Sequence, residues 1–508
     1  MNSPTRDDAV PPATIRAAPA RADTPLPRGF GLALDPATTT WQEGTILMGG
    51  SPLRLLRLSP RARALVDGWQ AGSLVGDRRS EQVLARRLVS SGLFVLRPVA
   101  PTSGPRDVTV VVPVRDRPAQ LQHLLESLDG LSLVVVDDGS ADPGRTEKIA
   151  RAAGATFIAL PKNLGPAAAR NAGLAVATTP LVAFVDSDCR PAPGWLSALL
   201  GYFDDPLVAA VAPRIVPAPT FPTTWISRYE AVRSSLDRGT AEGVVRPQSR
   251  ISYVPSAALV VRREVADHPF FDPALRGGED VDLVWRLVAA GWDVRYAPST
   301  TVAHRGPDRL GSWLGRRHFY GTTAGPLARR HPAEMAPLHT SVWPAAVWGL
   351  AAARRPVLAG AALVASIVVL ARRLGGLVEQ PTKVATRIAG GGTARSALPA
   401  LGGLTRAWSP AFVAGLLSRR TRRACALALL LPAAHDWTTQ PGELDPVRYA
   451  ALHVADDLAY GSGVWRGCLQ ARTIRPLLPR VSWRARVWST KSLRSGLQTG
   501  QPSGQAST

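Results

Sequence analysis

The amino-acid sequence predicts an α/β protein centred on a largely parallel β-sheet with helices on both faces, and three observations carry that prediction. Four β-branched runs at 109–114 (TVVVPV), 133–138 (LVVVDD), 156–160 and 181–186 are almost continuously apolar, as strands buried on both faces are. Helical patterns lie between them, opening at Pro118 and near Gly144 and Gly165, and this alternation marks a parallel sheet. Two runs end in acids, Asp137-Asp138 and Asp186-Ser187-Asp188, at the carboxyl edge where such sheets bind ligands.

The elements follow in chain order. Residues 1–25 mix proline, alanine and both charge signs without an apolar signal core, so a disordered tail and no secretory signal are expected. Residues 26–100 read as a small module of turn-rich extended pieces, two short helical patterns at 60–69 and 80–90, and a closing strand in SGLFVLRPV. Such a unit resembles a winged-helix fold; an N-terminal extension packed on its neighbour fits the pattern equally. The Pro/Gly break at 101–105 opens the α/β domain, expected over 105–330.

Beyond Arg309 the character changes. Between Leu310 and Ala434 the only acids are Glu334 and Glu379, and the apolar run 356–371 is flanked by Arg354-Arg355 and Arg372-Arg373. A span needs ~20 apolar residues, and this run is shorter. Apolar helices edged by arginine also lie in the headgroup layer. A helical region over 331–475, associated with an anionic membrane surface, is therefore expected, with a soluble Ala-rich subdomain as the alternative. Residues 476–508 contain no acid and read as a basic flexible tail.

The formal charge is +22, the sequence pI is about 11.2, and only four of the 60 basic residues are lysine. This favours anionic partners, although an Arg- and Ala-rich composition also follows from GC-rich coding. Nucleic acid is disfavoured, because the arginines are dispersed through apolar segments and not clustered with aromatics. Cys189, Cys425 and Cys468 are too few and scattered for a disulfide framework or a zinc site, which points to a reducing, cytosol-facing compartment.

Chemistry gathers at Asp186 and Asp188. In extended chain, residues i and i+2 point the same way, so both carboxylates can address one point. Two hard oxygen ligands suit Mg²⁺ or Mn²⁺, completed by diphosphate oxygens and water; taken alone, the pair is a polar turn as readily as a metal site. Its company is more informative: VPVRDRP ends the first strand, VDDGS ends the second, and NLGPAAARNAG follows the third. Downstream, GGEDVDLVWRL places acids at the start of an amphipathic helix, and Val302-Ala303-His304 follows a later strand. As an ordered set covering about 106–330, these motifs resemble the nucleotide-diphospho-sugar-binding (GT-A) fold of the inverting family 2 glycosyltransferases.

The resemblance implies roles. Asp138 would accept from the uracil of a UDP-sugar donor, with Pro113 and Arg115 lining the base pocket. Arg115 stands where the family often has an aromatic residue, and its guanidinium plane can still stack on a base. Arg170 would lie near the diphosphate, Asp186 would reach the ribose, and Asp186, Asp188 and His304 would hold the metal. Asp280 would be the general base that inversion requires, with Glu279 orienting the acceptor. For Asp280 the alternative is compensation of the helix dipole, and for His304 a structural role. The element 316–321 resembles a post-catalytic helix of the family but lacks the QxxRW box of processive cellulose- and chitin-type synthases.

The run LPRGFGLALDP and the following GTILMGGSPLRLLRLSPRARAL are similar to the start of the mycofactocin biosynthesis glycosyltransferases of actinobacteria. There a small peptide-chaperone-like domain precedes the transferase domain. This second resemblance implies glucose transfer from UDP-glucose, building a short β-1,4-glucan on a peptide-derived redox cofactor, at the cytoplasmic face of the cell membrane or in the cytoplasm. Two other readings stay open: a lipid-linked or cell-wall glycan acceptor, and a catalytically silent sugar-nucleotide scaffold.

Overall fold

The structure, a computed structural model, describes residues 14–21, 24–50, 52–99, 101–219, 222–267, 269–440 and 442–482. Sixteen strands follow in chain order among these residues: β1 (Gly31–Leu34), β2 (Thr39–Trp41), β3 (Ile46–Gly49), β4 (Arg54–Arg57), β5 (Phe94–Arg97), β6 (Val108–Val114), β7 (Ser132–Asp137), β8 (Thr156–Ala159), β9 (Leu181–Val185), β10 (Cys189–Pro191), β11 (Val208–Pro217), β12 (Gly243–Val244), β13 (Ala258–Arg262), β14 (Asp293–His304), β15 (His339–Ser341) and β16 (Arg480–Ser482).

The central sheet runs β10-β14-β11-β13-β9-β6-β7-β8, with β12 added to β14. Its β8-β7-β6-β9 half is parallel, as the alternating pattern predicts. The other half departs from it: β13 runs antiparallel between β9 and β11, and β10 and β12 are antiparallel on β14. The sheet is therefore mixed. Strand β9, LVAFV, is buried along its whole length, and Phe184 meets Phe271 edge to face at 5.0 Å, so the strand that delivers Asp186 is anchored in the core.

The N-terminal module forms two helices, Pro60–Gln70 and Arg79–Ser90, a three-stranded β2-β3-β4 meander and a β1-β5 pair. The expected helices and ribbon are present; no third helix occurs among its described residues, and a winged helix is not established. The module is not loosely tethered. Its Leu88, Phe94 and Leu96 belong to the same hydrophobic cluster as Val110, Leu199 and Phe203 of the α/β domain. Across that junction Arg86 donates from both Nη atoms to Asp205, each at 2.6 Å, with both side chains buried. A pair so deeply buried destabilises by ~3–5 kcal/mol when one partner is removed.

The expectation of a disordered tail over 1–25 is corrected for residues 14–21; residues 1–13 lie outside those described. Arg16 N–H donates to Val265 O, and Arg21 reaches Asp293 at 2.6 Å, where burial opposes the carboxylate's charge but Arg295 and Arg21 outweigh it and hold the group well below its ordinary value. Ile15 and Ala18 pack against the core, and Ala18 N–H donates to Ala290 O. The tail expected at 476–508 is likewise placed as far as 482: Pro476 and Leu477 are buried and β16 pairs with β15. Residues 483–508 lie outside the described residues.

The C-terminal region is helical. Helices Leu310–Thr322 and Ala324–Arg330 lie against the long helix Pro446–Gln470. Two glycine pairs four residues apart allow the approach: a Cβ on Gly463 would stand 2.0 Å from His318 O, and one on Gly325 would stand 2.0 Å from Gly467 O. Arg317, bonded to Glu230 and facing Asp456, ties this region to the α/β domain through buried ion pairs, while Arg406 on Asp457 joins two helices within it. One helix among the described residues, Pro356–Leu374, is long and apolar enough to cross a membrane, and only 17% of its apolar window is buried.

Candidate active site

A single cleft of about 1680 Å³ opens at the carboxyl ends of β6, β7 and β9 and extends to the C-terminal helices. Pro113, Arg115, Asp138, Arg170, Asp186, Asp188, Glu279, Asp280 and His304 all line it. The distant acids thus share one space, although several hold partners that differ from those the sequence suggests.

At the β6–β7 end, Asp138 is buried and its carboxylate accepts from Leu164 N–H at 2.7 Å and from Gly165 N–H at 2.9 Å. It pins the third loop while keeping lone pairs toward the cleft. Gly139 has φ +70°, and a Cβ there would stand 2.6 Å from the backbone of Lys162 and Asn163, so no other residue fits this turn. Arg115 is exposed, and its Nε lies 3.4 Å from Asp116 Oδ2.

Asp186-Ser187-Asp188 is not extended. Cys189 N–H donates to Asp186 O and turns the chain, so the alternation of a strand no longer aligns the two carboxylates. Asp186 Oδ1 accepts from Arg170 Nη2 at 2.6 Å. Asp188 Oδ2 takes Arg117, while its Oδ1 lies 3.5 Å from His304 Nε2. The register of β10 on β14, Cys189 opposite His304, brings that histidine to Asp188. Burial lowers His304 below its ordinary value against the pull of Asp188 and Asp186, so the ring is neutral and keeps a lone pair.

Arg170 is the largest departure. It is buried, and its two Nη atoms bridge Glu279 at 2.7 Å and Asp186 at 2.6 Å, with Phe271 beneath the guanidinium at 5.5 Å. Burial opposes its charge, but Asp186 and Glu279 outweigh that and raise it further above its ordinary value. Arg170 therefore clasps the end of β9 to the GGED helix, and its fork is already filled. Glu279 is buried and holds Arg170 through Oε1, while still lining the cleft.

Asp280 opens helix Glu279–Ala289 behind Gly278, whose φ of +76° starts the turn. Its Oδ1 accepts from Val281 N–H at 2.8 Å and its Oδ2 from Ser256 N–H at 3.2 Å. Among the described residues no basic side chain forms an ion pair with it. Burial and the neighbouring Glu279 carboxylate raise Asp280 to about 7, against Arg170 and the two N–H donors. A carboxylate so placed exchanges protons near neutral pH.

Sequence reasoning assigned no role to Arg117, Ser256 or Trp285, nor to the far wall of the cleft formed by Gly403, Arg406 and Tyr460. Arg117 and Trp285 stand inside the quoted motifs; the far wall comes from helices that no motif announces.

The fold and this site define a glycosyltransferase, and the sequence model of glycosyl transferase family 2 matches residues 109–268. The chain belongs to that family, with its GT-A-like α/β fold and a helical C-terminal region. Over 481 residues it is 42% identical to the pre-mycofactocin glycosyltransferase of Mycobacterium tuberculosis, covering 90% of this chain and 99% of that one. It is also 27% identical over 219 residues to the succinoglycan biosynthesis protein ExoU of Rhizobium meliloti, covering 37% of this chain and 59% of that protein. Among solved structures, a mannosyltransferase from Pyrobaculum calidifontis in complex with GDP-Man and Mn²⁺ aligns with a TM-score of 0.34 at 18% identity, over 57% of this chain and 88% of that one.

Proposed function

We propose that the protein is an inverting hexosyltransferase that moves glucose from UDP-glucose to the peptide-derived redox cofactor precursor premycofactocin, building a short β-1,4-glucan. The observation that carries the chemistry is Asp280: a cleft carboxylate with no ion-pair partner, raised to about 7, in one space with Asp138, Asp186 and Asp188. The acceptor rests on the 42% identity that spans 90% of the chain.

In this reading Asp138 accepts from the uracil, and Pro113 and Arg115 flank the base. Asp280 takes the acceptor hydroxyl proton as that oxygen bonds to the anomeric carbon and the bond to the nucleoside diphosphate breaks on the opposite side. Arg170 keeps Asp186 and Glu279 paired, and so holds the β9 end and the base helix in fixed relation. A divalent cation, Mg²⁺ or Mn²⁺, would neutralise the leaving diphosphate. Asp188 and His304 fit it as a carboxylate and a neutral imidazole 3.5 Å apart. Among the described residues no three His, Cys, Asp or Glu groups converge on one point, and Asp186 is bonded to Arg170. The cation would take its remaining ligands from phosphate and water.

Purified protein given UDP-glucose and Mn²⁺ should release UDP, and extracts of cells with the gene should contain a ladder of hexose additions on one redox-active core that cells without it lack. A glycan ladder on lipid or wall material, with none on such a core, replaces the acceptor. The exposed apolar helix Pro356–Leu374 favours a second reading, attachment to the cytoplasmic face of the cell membrane. Carbonate extraction that releases all the protein would remove a spanning helix.

A further inference from the structure

The stretch 242–256 separates two spaces. On one side Gln248, Ser249, Ser252 and Tyr253 line the catalytic cleft. On the other, Gly243, Arg246 and Arg250 face a pocket of about 170 Å³ whose far wall is the N-terminal module, at Asp35, Ser91 and Phe94. Arg250 Nη2 reaches Asp35 Oδ2 at 3.3 Å and Glu242 O at 2.7 Å, and Arg246 Nη2 donates to Ser90 O at 2.7 Å. Asp35 is buried and also receives Ala37 N–H at 2.8 Å, so the module offers a fixed acceptor to Arg250.

The same stretch touches the base helix. Ser252 O accepts from Trp285 Nε1 at 2.8 Å, and four residues on, Ser256 N–H donates to Asp280 Oδ2 at 3.2 Å. Between the arginines Gln248 has φ +63°, a conformation that side chains other than glycine rarely take and that packed surroundings must hold. Gln248 Nε2 is bonded to Ala333 O of the C-terminal region, so the stretch is held from both flanks.

We infer that the N-terminal module positions the acceptor-side wall of the cleft, with Arg250 on Asp35 as the positioning contact that sets 246–256, and through Ser256 the base Asp280. The inference rests on the reading of the cleft as a sugar-nucleotide transfer site. The module is thereby part of the catalytic architecture, and disturbing its edge alters turnover without touching the nucleotide end at Asp138.

The test compares the full-length protein with Arg250→Ala, Asp35→Asn and the double variant, using amide hydrogen exchange and steady-state UDP release from UDP-glucose. Arg250 is half-exposed and Asp35→Asn preserves the shape of the buried side chain, so the variants should fold, and unchanged exchange across β6, β7 and β9 verifies it. The expected result is exchange in 242–256 at least tenfold faster in each single variant. With it, kcat should fall at least fivefold while the KM for UDP-glucose stays within twofold, and the double variant should be no worse than either single. Unchanged exchange in 242–256, a loss confined to the donor KM, or additive losses in the double variant would each overturn the inference. If wild-type protein releases no UDP, the functional reading fails, and the exchange comparison still decides whether the module holds the wall.

Discussion

Replacing Asp280 with asparagine should separate catalysis from binding and from stability. A general base contributes ~10²–10⁴-fold, or ~2.7–5.5 kcal/mol of barrier, so kcat for UDP release at pH 8 should fall by that factor while UDP-glucose still binds. The base must be ionised, and Asp280 is raised to about 7. Wild-type kcat/KM should therefore drop about tenfold for each pH unit below about 7 and level off above it, and the variant should lose this acid limb. Stability should move the other way. A carboxyl raised from 3.8 to about 7 binds protons more tightly in the folded chain than in the unfolded one, so folding loses up to ~4 kcal/mol as pH rises from about 4 through 7. The side chain partly faces the open cleft, and asparagine sets an NH₂ against one of the two backbone donors, which together take back ~2 kcal/mol. The variant should thus be ~1–2 kcal/mol more stable than wild type at pH 8 and no more stable at pH 4, read from denaturant unfolding at both pH values. Activity within tenfold of wild type at pH 8, or an acid limb retained by the variant, would refute the assignment.

Other consequences follow from the clasp, the cation pair and the helix contacts. Arg170→Met leaves Asp186 and Glu279 without their buried partner and should cost ~3–5 kcal/mol in unfolding, with loss of activity; an unfolding midpoint equal to wild type would show that the clasp carries no weight. Asp188→Asn and His304→Ala should each weaken Mn²⁺ binding at least tenfold in electron paramagnetic resonance titrations, and unchanged binding in both would move the cation elsewhere. Gly463→Val drives a side chain into His318 O and should destabilise by ~1–3 kcal/mol or more, seen as a lower thermal midpoint; an unchanged midpoint would mean that the two helices do not touch as described.

What the sequence disclosed and what it hid divide along a physical line. The strands β6, β7 and β9 were legible because burial on both faces leaves continuous Val-rich runs, and the acids at their ends were legible because a sheet of this kind has one ligand-binding edge. The antiparallel β13 was not, since its ALVV run is as apolar as the parallel strands β6, β7 and β9 and nothing local encodes direction. Arg170 was assigned to phosphate because a fork suits either anion; only the fold reveals that two carboxylates, 16 and 109 residues away, already occupy it. The alignment of Asp186 with Asp188 assumed an extended chain, and a turn replaces it. The join between the N-terminal module and the α/β domain depends on Arg86 meeting Asp205, 119 residues on, a pairing that no periodicity announces.

The central claim is a single displacement at the anomeric carbon, with Asp280 deprotonating the incoming oxygen from the side opposite the departing diphosphate. Proton magnetic resonance of the first sugar transferred, or released to water, from UDP-α-glucose tests it most directly. The account predicts a β-configured product at the earliest time points, and an α-configured product from the wild-type protein would contradict it.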